Sequence, residues 1–149
     1  MKLYFDDPQF DGQFLRALSY AYYGCADLGE CWVTAAQIRN GDRAGWYNAW
    51  FALAERTYAR GVASRDAGHR ISARAAFLRA SNYYRTAFVH LFTRPPDPRA
   101  LTALAKQTDA FQNAAQLFTP RLEQMSILFQ DTTLSGYWAA PEHTPYASS

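Results

Sequence analysis

The stretch SARAAFLRASNYYRTAFVHLF, residues 72–92, decides the fold. It contains neither proline nor glycine, and its apolar residues recur at helical spacing, so it predicts an α-helix. At about 100° per residue, two apolar stripes flank a polar seam that contains Arg74 and Arg85. Arg79 and His90 fall on the remaining face, where we expect them to be exposed to solvent.

A guanidinium group within such a seam is costly to bury unless it is paired and hydrogen-bonded. One interpretation pairs each seam arginine with a carboxylate on a neighbouring helix, such as Glu55 or Glu30. The other places Arg85, beside Asn82 and Tyr84, at a ligand cavity, because pockets for small molecules combine apolar walls with a few polar groups. The seam alone leaves both interpretations open.

Two tryptophans in the preceding segment, Trp46 and Trp50, are spaced i, i+4 and therefore share one helix face. They fill the core, or they form an aromatic wall for a flat substrate. His69 follows a glycine between two helices and is interpreted as a turn or capping residue.

Capping and stop signals outside the first stretch predict four further helices. Their spans are residues 10–24, 29–41, 44–68 and 98–118. The expected N-caps of these helices are Asp11, Asp27, Asp42 and Asp97. Gly61 is expected to interrupt the third of the five helices.

The composition changes after Pro120. A strand around residues 127–129, a turn at 131–133 and a strand at 134–138 predict one β-hairpin. The predicted organisation is a helical cap domain (1–119), a hairpin (120–141) and a polar tail (142–149). An isolated hairpin is marginally stable and its edges attract further strands, so we expect the rest of its sheet to lie elsewhere. The predicted fold class is therefore mainly α, a five-helix bundle followed by a C-terminal β-hairpin.

The composition fits one domain with a substantial core, since 49% of the 149 residues are hydrophobic and 16% are aromatic. The net charge is +2, but residues 43–99 carry +7 and the remainder −5.

Cys25 and Cys31 have neither metal-knuckle nor disulfide-framework spacing, so reduced thiols are expected. With no export signal and no apolar run of membrane-spanning length, we expect a cytoplasmic protein outside the membrane.

No nucleophile elbow, P-loop, dinucleotide fingerprint or HExxH motif is present. The three histidines are scattered over different segments. We therefore predict no catalytic residue, no metal site and no cofactor within this chain.

Five segments nevertheless carry a resemblance when taken in order: ADLGECWVTAAQIRNGD, WYNAW, GHRISARAAFLRASNYYRTAFVHLF, DPRAL and LEQMSILFQDTTLSGYWAAP. Together they resemble the amino-terminal segment of α/β-hydrolases similar to the fermentation-respiration switch protein. That group includes the 2,6-dihydroxypseudooxynicotine hydrolases and the fungal pigment hydrolases that shorten polyketide chains. The resemblance extends from about Phe5 to Pro141. One departure is Gly45, where the family often has serine.

The resemblance implies a helical cap before a catalytic α/β domain, with the hairpin as the first two strands of its sheet. The Ser, acid and His of such enzymes lie further along the chain, so this chain alone would be inactive. The implied activity is hydrolysis of ester or carbon–carbon bonds in ketone-type, aromatic or polyketide-like substrates. The implied substrate-binding residues are Asn82, Tyr84, Arg85, Trp46 and Trp50.

Two other hypotheses remain open. The third and fourth helices resemble a tetratricopeptide hairpin, which would indicate a stand-alone interaction module. The arginine-rich middle suggests nucleic-acid binding, but the low lysine content and the two seam arginines argue against it. The cap helices and the exposed strand edge also favour self-association as a homodimer.

Overall fold

The structure, a computed structural model, describes residues 2–139 and has five α-helices followed by one antiparallel hairpin. This confirms the predicted mainly α fold class. The predicted polar tail, 142–149, and the last two residues of the predicted hairpin lie outside the described residues. The elements are α1 Pro8–Ser19, a 3₁₀ helix Tyr20–Tyr23, α2 Leu28–Ala35, α3 Arg43–Asp66, α4 Arg70–Phe88, α5 Pro98–Ala115, β1 Leu122–Phe129 and β2 Thr132–Ala139.

Three predicted N-caps are confirmed. Asp27, Asp42 and Asp97 each accept a hydrogen bond from a backbone N–H in the first turn of α2, α3 and α5. The Asp42 carboxylate approaches so closely that a Cβ at Gly45 would collide with it. The glycine that departs from the family pattern therefore lies in the first turn of α3, directly against the side chain that caps the helix.

The prediction for Asp11 was wrong, because α1 begins earlier, with Pro8 at its first position and Asp7 as its N-cap. Asp11 lies within the helix, and its side chain fastens the chain that leads into α1. Its carboxylate accepts three backbone hydrogen bonds of 2.8, 2.7 and 3.0 Å, from Leu3, Tyr4 and Phe5. These bonds stabilise the charged form and lower the pKa of Asp11.

Gly61 does not interrupt α3, which continues from Arg43 to Asp66. A Cβ built at Gly61 would lie 2.8 Å from ring carbons of Phe77 on α4. Gly61 therefore allows α3 and α4 to approach each other closely.

We expect Gly61→Ala to destabilise the protein by about 1 kcal/mol. Overpacking a well-packed site costs about 1–3 kcal/mol, which outweighs the gain of about 1 kcal/mol in helix propensity. Gly12→Ala in α1 is the matched control, because a Cβ there would meet no atom within 4 Å. Urea denaturation followed by circular dichroism measures both. A stability gain in Gly61→Ala equal to that in Gly12→Ala would contradict the packing argument.

An aromatic core joins α1, α3 and α4. Trp46 and Trp50 have no exposed surface, and their ring centroids are 5.7 Å apart. Phe10 packs edge-on against Trp46 at 4.8 Å, and Tyr83 lies 5.8 Å from Trp50. The Trp46 indole donates its Nε1–H to the carbonyl of Thr86 at 2.7 Å, which fixes α3 against α4.

The hairpin projects from the bundle. Its loop is Gln130–Asp131 rather than the predicted 131–133, because Phe129 pairs with Thr132 across the ladder. The register places three large apolar side chains, each 40–56% exposed, on the same face as Ile127. These three are Met125, Leu134 and Trp138. Within the described residues, the two strands pair only with each other.

The other face of the hairpin contacts α5 near the base of the strands. The ring of Tyr137 meets that of Phe111 edge-on at 4.8 Å. Gln112 donates its side-chain amide to the side-chain oxygen of Gln124 at 3.0 Å. These contacts set the direction in which the hairpin leaves the bundle.

Candidate functional site

The prediction that Arg79 and His90 face solvent was wrong. The Arg79 side chain is 25% exposed, and its Nε lies 3.7 Å from Oε2 of Glu30. His90 stacks on the ring of Phe10 at a centroid distance of 4.6 Å. Helix α4 packs against both α3 and α5, with α1 also touching it, so it has little free surface.

The predicted carboxylate partners of Arg74 and Arg85 bind other groups. Glu30 pairs with Arg60 and Arg79 rather than with either seam arginine. The guanidinium of Arg74 instead lies 4.8 Å above the ring of Phe118. The pairing interpretation of the seam was therefore wrong.

Glu55, the second expected partner, joins α3 to α4 and α5. It accepts hydrogen bonds from the hydroxyl of Tyr84 and from Lys106, the latter at 2.6 Å. Burial opposes the charged form of Glu55, but these two hydrogen bonds outweigh it, and its pKa is lowered. Burial and the Glu55 carboxylate raise the pKa of Tyr84.

Arg85 lines a cavity of about 160 Å³ between α4, α5 and the segment that follows α1. Leu78 and Phe111 supply apolar walls, while Asn82 and Gln107 supply amide groups. Cavities elsewhere are larger, such as one of about 520 Å³ between α2 and α3. Of the charged groups at its wall, Glu30 and Arg60 pair with each other, and Arg56 is exposed to solvent.

The positive charge of Arg85 is not balanced within the described residues. Its Nη1 is buried and meets no acceptor there, and Arg85 takes part in none of the ion pairs of residues 2–139. Burial lowers the pKa of the guanidinium, and the positive charge of Arg16 lowers it further. Because an arginine stays protonated in proteins, the cavity retains a half-buried cation.

Asn82 holds the cavity wall in place. Its Nδ2 donates to the carbonyl of Ala17 at 3.3 Å and to that of Cys25 at 3.0 Å. The bonds tie α4 to the end of α1 and to the turn that follows the 3₁₀ helix. Asn82 therefore positions the chain segment that closes one side of the cavity.

The structure thus brings together two of the five predicted site residues, Asn82 and Arg85. Tyr84 points to Glu55, and both tryptophans lie in the aromatic core. Sequence analysis missed Gln107 and Phe111, which line the cavity from α5. Their i, i+4 spacing places them on one face of α5, which is the signal that the sequence offered.

Residues 2–139 contain no cluster of three or more His, Cys, Asp or Glu side chains able to hold a metal ion. Both cysteines are free. Among the described helices, none combines the length and the apolar character needed to cross a membrane.

Comparison with known proteins finds fungal hydrolases among the similar sequences. The hydrolyase poxO of Penicillium oxalicum is 37% identical over 144 residues, which is 95% of this chain and 34% of that protein. The 20-hydroxy-prefusarin hydrolase of Gibberella moniliformis is 35% identical over 137 residues, 90% of this chain and 33% of that protein. The chain thus spans about a third of the length of these relatives. No protein-family model matches it.

Among solved structures, the 2,6-dihydroxy-pseudo-oxynicotine hydrolase has the same fold over 85% of this chain and 32% of its own, with a TM-score of 0.61 and 19% identity. That enzyme is an α/β-hydrolase. The matched part of the relatives is their amino-terminal third. By sequence and by fold, this chain therefore resembles the amino-terminal helical segment of α/β-hydrolases.

Proposed function

We propose that this chain is the substrate-capping segment of an α/β-hydrolase and that a carboxy-terminal catalytic domain is its partner. The domain would supply the Ser, Asp and His, so the chain alone is inactive. The substrates are ketone-type or polyketide-like molecules with an ester or carbon–carbon bond to cleave. The similarity to one third of several hydrolases supports this proposal.

The observation that carries the proposal is the uncovered hairpin. Ile127 is 45% exposed, Leu134 49% and Trp138 56%, all on one face of a two-stranded sheet. An isolated pair of strands is marginal in water, and its open edges accept further strands. A sheet extended by the catalytic domain would cover both the apolar face and the edges.

The Arg85 cavity supports a role in substrate binding, because it adjoins the base of the hairpin. Phe111 lines the cavity and also contacts Tyr137 of β2. We propose that Arg85 contacts substrate and that Asn82 holds the wall beside it. The other three predicted residues do not line this cavity. The hydroxyl of Tyr84 binds Glu55, and Trp46 and Trp50 are buried in the aromatic core, so these residues would hold α4 in place against α3.

A chimera tests this function. Residues 1–139 would replace the matched segment of the Penicillium relative, and hydrolysis of p-nitrophenyl acetate would be measured. We expect an active chimera and no activity in this chain alone. Ile127→Asp in the chimera should lower activity at least about tenfold, since a buried unpaired charge at an interface costs more than 1.4 kcal/mol.

The matched control is Val33→Asp, because Val33 is 65% exposed on α2, a helix that packs against α1 and α3. Its chimera should keep full activity. A folded but inactive parent chimera, activity in the chain alone, or equal activity of both aspartate variants would each contradict the proposal.

The interaction-module hypothesis rests on one helix pair, α3 and α4, whereas such repeats need about three copies for stability. It would leave the apolar face of the hairpin without a function. The homodimer and the cytoplasmic location stay predictions.

A further inference from the structure

We propose that the ring of His90 holds α1 on the bundle while it is neutral and releases α1 when it is protonated. The rings that meet there belong to His90, Phe10 of α1 and Trp46 of α3, and we call them the His90 contact. Its release can be measured on this chain alone, independently of any role as a cap.

The imidazole of His90 lies between two helices. It stacks on the ring of Phe10 at a centroid distance of 4.6 Å, with the ring planes 11° apart. It also meets the indole of Trp46 edge-on at 4.9 Å. Phe10 and Trp46 are themselves buried. Because His90 lies just after α4, its ring connects the end of that helix to both α1 and α3.

One nitrogen of this imidazole is buried without a partner. The Nε2 of His90 makes no hydrogen bond within the described residues. A neutral imidazole can carry its proton on Nδ1, whereas an imidazolium carries a proton on both nitrogens. The protonated ring would therefore bury a charged N–H group that has no acceptor there. The attraction between a cation and the face of Phe10 is smaller than that cost.

The surrounding charges also oppose protonation. Arg43 at the start of α3 and Arg85 on α4 add positive charge near His90, while the carboxylate of Asp7, the N-cap of α1, favours a cation. That carboxylate already accepts hydrogen bonds from the backbone at the start of α1. Burial, followed by the charge of Arg43, outweighs Asp7 and lowers the pKa of His90.

The direction of the pH effect follows from the lowered pKa of His90. An unfolded histidine titrates near about pH 6.5, and His90 in the folded chain titrates lower. Between these two values the unfolded form binds a proton that the folded form does not bind, so a falling pH favours opening. Stability is therefore highest above about pH 6.5 and decreases as the pH falls toward the lowered pKa of His90.

Helix α1 is the element that we expect to open. Helix α3 packs extensively against α4, whereas α1 touches α4 only locally. Regions with few packing contacts open at a lower free energy than the rest of a fold. The carbonyls of Ala17 and Cys25, which Asn82 binds, lie at the end of α1 and in the turn beyond it. Opening of α1 would therefore remove one side of the Arg85 cavity.

The test is amide hydrogen exchange at about pH 7.5 and about pH 5.5, with each rate corrected for the intrinsic pH dependence of exchange. We expect the protection of the α1 amides to fall at least about threefold at the lower pH, because an unfolded histidine is then about nine-tenths protonated. The amides of α3 should keep their protection. Asp11, Glu55 and Asp97 have lowered pKa values and stay ionised at the lower pH, so they do not contribute.

Two histidine variants separate His90 from a general effect of acid. His90→Phe keeps an aromatic ring that cannot be protonated, and its α1 protection should be the same at both pH values. His69→Gln is the matched control, because His69 is exposed in the turn before α4 and its side chain makes no capping hydrogen bond. This control should lose α1 protection as the parent chain does. An equal loss in His90→Phe and the parent chain, or an equal loss in α1 and α3, would overturn the proposal.

A proton NMR titration of the parent chain supplies a test that does not need His90→Phe to fold. The chain has three histidines, so His69→Gln and His143→Gln identify the signals of the other two. The remaining signal, from His90, should have a midpoint at least about half a pH unit below the unperturbed value of about 6.5. A midpoint at or above that value would contradict the release of α1 by protonation.

Discussion

Trp46→Ala is expected to lower the free energy of unfolding by about 3–5 kcal/mol, the usual cost of truncating a buried aromatic residue to alanine. Trp46 has no exposed surface, and it contacts the rings of Phe5, Phe10 and Trp50. The change also leaves the carbonyl of Thr86 without its hydrogen bond. Since small domains are stable by only about 5–15 kcal/mol, this variant should be largely unfolded in moderate urea.

Trp138→Ala is the matched control. Trp138 is 56% exposed on the hairpin, away from the aromatic core. Its replacement should change stability by no more than about 0.5 kcal/mol. Urea titrations followed by circular dichroism at helical wavelengths measure both variants, and equal losses would contradict the core that we describe.

Tyr83→Phe should cost about 1–3 kcal/mol although it removes a single oxygen. The Tyr83 hydroxyl accepts the backbone N–H of Asp27 and donates to Oε2 of Glu30, both at 2.8 Å. Losing it leaves a partly buried donor unpaired at the start of α2. The penalty therefore arises from the Asp27 N–H and the Glu30 carboxylate, which lose a hydrogen bond, rather than from lost packing.

The control is Tyr22→Phe, because Tyr22 is 89% exposed. That variant should be as stable as the parent chain. Hydrogen exchange adds a local measurement, since the Asp27 amide should exchange faster in Tyr83→Phe and at the parent rate in Tyr22→Phe. Unchanged stability and exchange in Tyr83→Phe would show that the hydroxyl does not anchor α2.

Local signals were predictable where a single side chain decides the structure. Asp27, Asp42 and Asp97 cap helices because each is a short acceptor directly before a helical pattern. Asp11 gave the same signal, yet Asp7 and Pro8 begin the helix one turn earlier. The sequence could not show that Asp11 instead binds the backbone of the segment before the helix.

The prediction of the exposed face of α4 was wrong for a different reason. It assumed one free face, whereas α4 is the central helix and contacts α1, α3 and α5. Arg79 was therefore covered by Glu30, a residue from α2 that no pattern within α4 could reveal. The position of Arg85 in a seam was visible, but its partners across the cavity were not, because Gln107 and Phe111 belong to α5.

The hairpin also has a consequence for the order of events during synthesis. The bundle is built largely from helices adjacent in sequence, α3 on α4 and α4 on α5, and such local contacts form quickly. In a longer chain, these helices could be folded before any later strand has left the ribosome. The hairpin, held in direction by Phe111 and Tyr137, would then already be in place as a template on which the following strands assemble.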